Sequence, residues 1–258
     1  MSEPYRSGAV TRMAELVFPG DTNHHGTLFG GKGFSLMDRA AFIAATRHGR
    51  APFVTASSDR VDYSAPARVG NIVELTAEIR RVGRTSLSVE VTMIAEDFLR
   101  NTRLTCTRGT FTMVARPDGL DPEWRLPPVR PLEVGNESDL RLADIVFADQ
   151  ANHHGNLFGG DAIAQMTKAA FIVASRKSRC ITVLASSNKI AFKAAVPVGS
   201  IVETTSKISA IGRSSITVET DLWSEALKRE DRLLIASASF VMVAVDANGR
   251  PVPIDRQT

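Results

Sequence analysis

Two nearly identical glycine-rich stretches are the most unusual feature of this sequence. NHHGTLFGG occupies residues 23–31 and NHHGNLFGG occupies residues 152–160, with one difference between them. Glycines let a ligand approach the backbone closely, and the first N–H groups of a helix have no partner within the helix. A helix that starts on glycines can therefore hold an oxygen that becomes negatively charged during a reaction. Gly30–Gly31 and Gly159–Gly160 are candidate donors of this kind, and a plain tight turn is the alternative.

Asp38 is the second candidate for chemistry. It lies about two helical turns after Gly31, and its neighbours in the sequence are mostly apolar. A carboxylate in such surroundings is costly unless it has a partner or a task, so Asp38 is a candidate general base or nucleophile. The matching residue in the second copy is Thr167. The alternative is that Asp38 and Arg39 lie on a solvated stripe of the helix.

Other chemistries that these loops suggest are disfavoured by the sequence. Gly26–Lys32 reads G-x-x-x-x-G-K, but Gly33 stands where a P-loop needs Ser or Thr. Adjacent residues of an extended loop point to opposite sides, so we expect His24 and His25 to be poorly placed to share a metal. The sequence contains neither H-E-x-x-H nor the G-x-S-x-G nucleophile elbow. We therefore expect no metal site and no Ser-His-Asp triad.

The duplication extends far beyond the two loops. A shift of 129 residues (152 minus 23) aligns the chain with itself from Phe18 to Ala115 without a gap. A self-match of this length indicates a tandem duplication. The stretch between the copies is rich in proline and has little periodicity, which is typical of a linker. The sequence predicts a first domain over 8–116, a linker over 117–137 and a second domain over 138–250.

Each copy has the pattern of one helix and several strands. Apolar residues recur at helical spacing over 30–49, where glycines open the segment and His48-Gly49 closes it. This helix is apolar nearly all round, so we expect it to be buried. The strand patterns of the first copy cover about 10–18, 53–63, 71–81, 84–96 and 103–115.

A long central helix wrapped by a strongly curved antiparallel sheet is the hotdog fold. The predicted class is α+β, with two tandem hotdog domains. Such units join their sheets edge to edge, which removes two exposed sheet edges. We therefore expect the two repeats to form an intrachain pseudo-dimer.

The composition narrows the class of protein. Apolar residues make up 43% and charged residues 23% of the chain, which is typical of a globular protein. No apolar run is long enough to span a membrane, and the first residues lack a secretory signal. A formal charge of +3 without a Lys/Arg run argues against nucleic acid and is compatible with a small anionic ligand. We expect a cytoplasmic protein in which Cys106 and Cys180 are reduced.

Four segments of the first copy, repeated in the second, resemble a known family. DTNHHGTLFGGKGFSLMDRAA, VTASSDRVDYSAPARVGNIVEL, VGRTSLSVEV and FTMVA resemble the hotdog acyl-CoA thioesterases of the YciA and brain acyl-CoA hydrolase type. The likeness covers nearly all of both copies. It implies hydrolysis of fatty acyl-CoA to a free acid and CoA, without a metal or an organic cofactor. It also implies a homo-oligomer, with a trimer of double hotdogs favoured over a dimer.

The resemblance also implies roles for individual residues. Asp38 matches the catalytic carboxylate, and Asn152, from the loop of the other repeat, matches its catalytic partner. The opposite pairing joins Asn23 with Thr167 and lacks a carboxylate. Single-repeat members build two equivalent sites per dimer, whereas this chain has the residues for one. Which Gly-Gly pair forms the oxyanion hole is left open.

Two arginines are candidates for holding the anionic CoA moiety. Arg84 and Arg213 occur in the duplicated GR(T/S)S motifs, where backbone and guanidinium groups could meet a phosphate. The alternative is an ordinary hairpin turn with a solvated arginine.

Two other functions are compatible with a hotdog fold. Hotdog hydratases resemble a pattern in which Asp is followed five residues later by His, but Asp21 precedes His24 and His25 by three and four residues. A non-catalytic acyl-CoA-binding protein would have no use for Asp38 and would usually carry a further module. The sequence therefore favours the thioesterase.

Overall fold

The structure is a computed structural model, and it describes residues 10–116, 123–129, 140–225 and 231–255 together with the backbone of 2–4. The chain divides into two compact units. One is built from described residues within 6–97 and 102–135, and the other from those within 1–5, 98–101 and 136–258. Most of the predicted linker lies outside the described residues, and its segment 123–129 forms neither helix nor strand. The predicted domain boundaries stay predictions.

The two repeats contain the same order of elements, except that β4 of the first has no counterpart in the described residues of the second. In the first repeat and the segment before it they are β1 (Ser2–Pro4), β2 (Thr11–Leu16), α1 (Gly30–Gly49), β3 (Phe53–Ser58), β4 (Asp62–Tyr63), β5 (Ile72–Val82), β6 (Ser86–Asp97) and β7 (Thr102–Ala115). In the second repeat they are β8 (Leu140–Ile145), α2 (Gly159–Ser178), β9 (Ile181–Ser187), β10 (Ile201–Ile211), β11 (Ser215–Glu225) and β12 (Asp231–Val245). A short 3₁₀ turn precedes each glycine-rich loop.

The first repeat forms one antiparallel sheet with a helix packed on it. The strand order is β2-β5-β6-β7-β3, and β4 also pairs with β7. β-Bulges interrupt the register in β3, β5 and β7, and bulges increase the twist and bend of a sheet. α1 contacts β2, β3, β5, β6 and β7, so the sheet curls around it. This arrangement confirms the predicted hotdog fold for the first repeat.

The second repeat has the same topology, but one strand is added and β4 has no equivalent among its described residues. Its strand order is β1-β12-β11-β10-β8, and β9 pairs with β12. The added strand, β1, lies antiparallel to the first residues of β12. α2 contacts β8, β9, β10, β11 and β12. The second predicted hotdog domain is therefore also confirmed.

The central helices are buried mainly in their second halves. In α1, Met37, Ala40 and Ile43 have no exposed surface, whereas Phe34 near the start is 36% exposed. The predicted helix over 30–49 is confirmed, but burial all round holds only beyond its first turns. In the described residues, no helix has the length and apolarity of a membrane span.

α1 ends at Gly49 as predicted, but Gly49 is not the residue in the left-handed conformation. Gly49 is the last helical residue, and Arg50 takes the left-handed conformation (φ 50°) and donates its N–H to the carbonyl of Thr46 at 2.9 Å. Gly49 is required for packing instead, because an added Cβ would lie 2.6 Å from the ring of Phe53. The matching pair in the second repeat is Ser178 and the smaller Thr182, so a side chain is accommodated there.

Gly49→Ala should destabilise the protein. Alanine favours a helix by about 1 kcal/mol, but forcing a methyl group into a filled core costs about 1–3 kcal/mol. We expect a net loss in the free energy of unfolding, measured by urea titration. Gly20→Ala is the control, because its Cβ would have no atom within 4 Å, and it should change stability by less than about 0.5 kcal/mol. Equal stability of the two variants would contradict the packing role of Gly49.

Candidate functional site

Both central helices begin without a side-chain cap. α1 follows the extended residue Phe29 and α2 follows the extended residue Phe158, and neither residue accepts a hydrogen bond through its side chain. The N–H groups of the first turn are therefore left without a capping side chain. A Cβ at Gly31 or at Gly160 would come within 2.7 Å of the preceding phenylalanine ring. The Gly-Gly steps thus combine close packing with uncapped donors, as an oxyanion-binding turn requires.

A tyrosine braces the helix start of the first repeat. The hydroxyl of Tyr63 donates a hydrogen bond to the carbonyl of Gly30 at 2.7 Å. Burial raises the pKa of Tyr63, and Cys106 adds to the increase, so the phenol stays protonated as a donor. The carbonyl of Gly30 and the N–H of Gly31 belong to one peptide group, and a hydrogen bond to the carbonyl polarises that N–H.

Tyr63 was not among the functional residues predicted from the sequence. The matching residue in the second repeat is Phe192, which packs near Gly159 but has no hydroxyl. The signal was present in the internal alignment, where VDY falls on IAF. The two helix starts therefore have similar backbones, but only the first accepts a hydrogen bond from a tyrosine hydroxyl.

Asp38 has a hydroxyl partner. The Oγ1 of Thr55, on β3, donates a hydrogen bond to Oδ1 of Asp38 at 2.6 Å. Asp38 is half-buried, so it lies neither in the core nor on a fully solvated stripe. Among the described residues, its second oxygen, Oδ2, has no hydrogen-bond partner. This arrangement fixes one oxygen of the carboxylate and leaves the other available to a substrate or water.

The second repeat lacks both members of this pair. Thr167 replaces Asp38 and Leu184 replaces Thr55. The side chain of Leu184 is 46% exposed and has no hydrogen-bonding group. The loss of the carboxylate is therefore accompanied by the loss of the group that holds it.

The two loop asparagines differ in what their amide groups donate. Oδ1 of Asn23 accepts the N–H of His25 at 2.9 Å, and its Nδ2 donates to Oγ1 of Thr27 at 3.0 Å. Oδ1 of Asn152 accepts the corresponding N–H of His154 at 2.9 Å. Asn156 replaces Thr27 in that loop, and within the described part of the chain Nδ2 of Asn152 has no acceptor. Asn152 thus keeps a free amide donor where Asn23 does not.

The histidine pairs are arranged differently from the prediction. The rings of His24 and His25 lie together with their centroids 3.9 Å apart, and those of His153 and His154 are 3.8 Å apart. The expectation that they point to opposite sides was wrong, because the asparagine before each pair folds the loop into a turn. Two adjacent rings are too few for a typical metal site, and the described residues contain no cluster of three or more His, Cys, Asp or Glu side chains suited to a metal.

Arg84 and Arg213 lie in exposed hairpin turns. The carbonyl of Arg84 accepts the N–H of Leu126 at 3.2 Å, and the carbonyl of Arg213 accepts the N–H of Ile254 at 2.8 Å. Arg84 lies two residues before β6, whereas Gly33 in the first turn of α1 lies near Met93, roughly 23 Å along that strand from its first residue. The structure therefore does not bring Arg84 to the helix start of its own repeat. A role of the two arginines in binding CoA stays a prediction.

A pocket of about 360 Å³ opens beside the start of α1. Its walls come from the glycine-rich loop, the segment 63–67, β6 and β7. The lining includes Asn23, Gly30, Tyr63, Met93 and Cys106. Cys106 is buried and Cys180 half-buried, and both are free thiols.

Comparison with known proteins identifies the fold family. The sequence profile of the thioesterase superfamily matches the chain twice, over residues 25–99 and 154–230. The crystal structure of an acyl-CoA hydrolase from Agrobacterium tumefaciens is 52% identical to this chain. The alignment covers 97% of this chain and 100% of that one, with a TM-score of 0.89.

Mammalian relatives are more distant. Acyl-coenzyme A thioesterase 11 of Mus musculus is 26% identical over 96% of this chain, which spans 49% of that protein. The cytosolic acyl coenzyme A thioester hydrolase of Rattus norvegicus is 22% identical over 97% of this chain and is covered over 78% of its length. The chain belongs to the thioesterase superfamily and carries two copies of its hotdog domain in tandem.

Proposed function

We propose that this protein is an acyl-CoA thioesterase, which hydrolyses fatty acyl-CoA to a free acid and CoA. Its relatives with known names are acyl-CoA hydrolases and thioesterases. The observation that carries the proposal is the half-buried carboxylate of Asp38. It lies on α1, whose first turn is uncapped, and it accepts a hydrogen bond from Thr55 on β3. A carboxylate and free backbone donors are the two groups that hydrolysis of a thioester needs. No metal or organic cofactor takes part.

Asp38 and Asn152 form the complete site of this proposal. Asn152 is favoured over Asn23 because its Nδ2 is free to orient a water molecule or the substrate, whereas that of Asn23 is engaged by Thr27. The pairing of Asn23 with Thr167 would have neither a carboxylate nor a free amide. The chain therefore has one catalytic site for two repeats.

Hydrolysis proceeds through attack on the thioester carbonyl carbon. The carbonyl oxygen accepts hydrogen bonds from backbone N–H groups of a Gly-Gly helix start, either Gly30–Gly31 or Gly159–Gly160. Asp38 removes a proton from a water molecule, which attacks the carbon to form a tetrahedral oxyanion. The carbon–sulfur bond then breaks, and the CoA sulfur takes the proton from Asp38. In the alternative route, Asp38 attacks directly, and water hydrolyses the mixed anhydride.

Further parts of the proposal concern CoA and assembly. Arg84 and Arg213 offer exposed guanidinium groups to the CoA phosphates. Large apolar side chains at matching positions of the two repeats are exposed, at 59% for Phe18 and 39% for Phe147, as expected of surfaces that assemble with other copies. We favour a trimer of the double-hotdog chain over a dimer. We also place the protein in the cytoplasm and expect no nucleic-acid partner.

Asp38→Asn should abolish most of the activity. The amide keeps the size of the side chain but cannot act as a base or a nucleophile. We expect kcat to fall by about 10²–10⁴-fold with a smaller change in KM, measured by release of free thiol from acyl-CoA. Thr167→Asn is the matched control in the second repeat and should retain full turnover. Undiminished turnover of the Asp38 variant would exclude this carboxylate from the chemistry.

The two asparagines should respond unequally to the same substitution. Replacement by Asp keeps the Oδ1 acceptor that folds each loop and removes the Nδ2 donor. We expect Asn152→Asp to lower kcat at least about tenfold and Asn23→Asp, which lies in the substrate pocket but already donates to Thr27, to lower kcat less. Both variants are compared by kcat and by thermal unfolding. A larger effect at Asn23 would reverse the assignment of the complete site.

A further inference from the structure

The pocket beside α1 has an apolar buried end. Ala67 is 4% exposed, and Met93 and Cys106 are each 1% exposed. Burial raises the pKa of the Cys106 thiol, so this end carries no charge near neutral pH. A phosphate or a sugar placed here would lose its hydration without gaining polar partners. The buried end is therefore suited to a hydrocarbon.

The open end of the pocket is polar. Tyr63 and Ser64 are exposed, Asn23 is half-buried, and the uncapped start of α1 lies between them at Gly30. A ligand that matches both ends has an apolar chain and an oxygen-bearing head, as an acyl thioester has. The volume lies at the lower end of the usual range for ligand sites, about 300–1,000 Å³.

The second repeat shows that the fold does not require this space. At three matching positions around the pocket the second repeat has the larger side chain. Ala162 stands for Gly33, Val196 for Ala67 and Ile235 for Cys106, and all three of the larger residues are buried. A Cβ added at Gly33 would lie 3.2 Å from the hydroxyl of Tyr63 and 3.4 Å from Met93. Small residues at these positions therefore keep the pocket open in the first repeat.

We propose that this pocket binds the acyl chain of the substrate and that Ala67 and Cys106 at its buried end set the longest chain accepted. The inference rests on the proposed thioesterase function. Asp38 is on the same helix as Gly30 of the pocket lining and follows it by eight residues, so it lies about 12 Å further along the helix axis. The helix α1 thus carries both the catalytic carboxylate and part of the pocket proposed for the acyl chain.

The test introduces the residues of the second repeat into the first. kcat/KM is measured over a series of saturated acyl-CoAs for the wild type, Cys106→Ile and Ala67→Val. We expect kcat/KM of both variants, relative to the value of the same variant on the shortest chain, to fall about fourfold for each methylene that no longer fits. Ile235→Cys is the matched control in the second repeat and should leave the chain-length profile unchanged.

The controls separate this inference from a folding defect and from failure of the proposed function. Ala67→Val adds only two methyl groups, so it serves if Cys106→Ile does not fold, as judged by thermal unfolding. An unchanged profile in a folded variant, or an equal loss on every chain length, would overturn the inference. A wild type that hydrolyses no acyl-CoA would contradict the proposed function instead. The same variants would then be compared in the binding of non-hydrolysable acyl-CoA thioethers, where the loss of affinity for long chains is again expected.

Discussion

The uncapped first turn of a buried helix is the constraint on which the candidate site depends. Helix ends normally satisfy their free N–H groups with a side chain or water. Here a phenylalanine occupies the capping position and two glycines follow, so the backbone is open at the point where the helix dipole is positive. The curled sheet keeps the rest of the helix in place, and the loop asparagine holds the chain that leads into it. The fold thus exposes backbone donors at one end of an otherwise buried element.

Duplication has produced two copies that share this constraint but differ in their polar side chains. Around the first helix, Asp38, Thr55 and Tyr63 supply a carboxylate and two hydroxyl groups. The matching residues around the second helix are Thr167, Leu184 and Phe192, which keep one hydroxyl and no charge. Leu184 and Phe192 are both nearly half exposed, so the fold tolerates the replacements. Among the described residues, Nδ2 of Asn152 in the second copy has no acceptor, whereas that of Asn23 in the first donates to Thr27.

Much of the fold followed from the sequence, because internal repetition and hydrophobic periodicity are local signals. The helix over 30–49 and the long strands β5, β6 and β7 were found within a few residues. The partner of Asp38 was not, since the contact with Thr55 depends on the register of β3 and on its bulge, which no local pattern encodes. The histidine rings were placed wrongly because a side chain, Asn23, turns a loop that was treated as extended. The end of the helix at Gly49 was found, but the left-handed residue is Arg50, because Gly49 serves packing against Phe53.

The pairing of Gly49 with Phe53, and of Ser178 with Thr182, has a bearing on how such proteins evolve. In a homodimer of single repeats, one codon specifies the same residue in both subunits, so each substitution appears twice in the dimer. A tandem chain has separate codons, and a bulky residue accepted by one copy can be matched by a small neighbour in that copy alone. Drift in the two halves is then independent, provided that each half compensates within its own core. Residues that are still identical in the two repeats therefore mark positions where both halves have the same structural requirement.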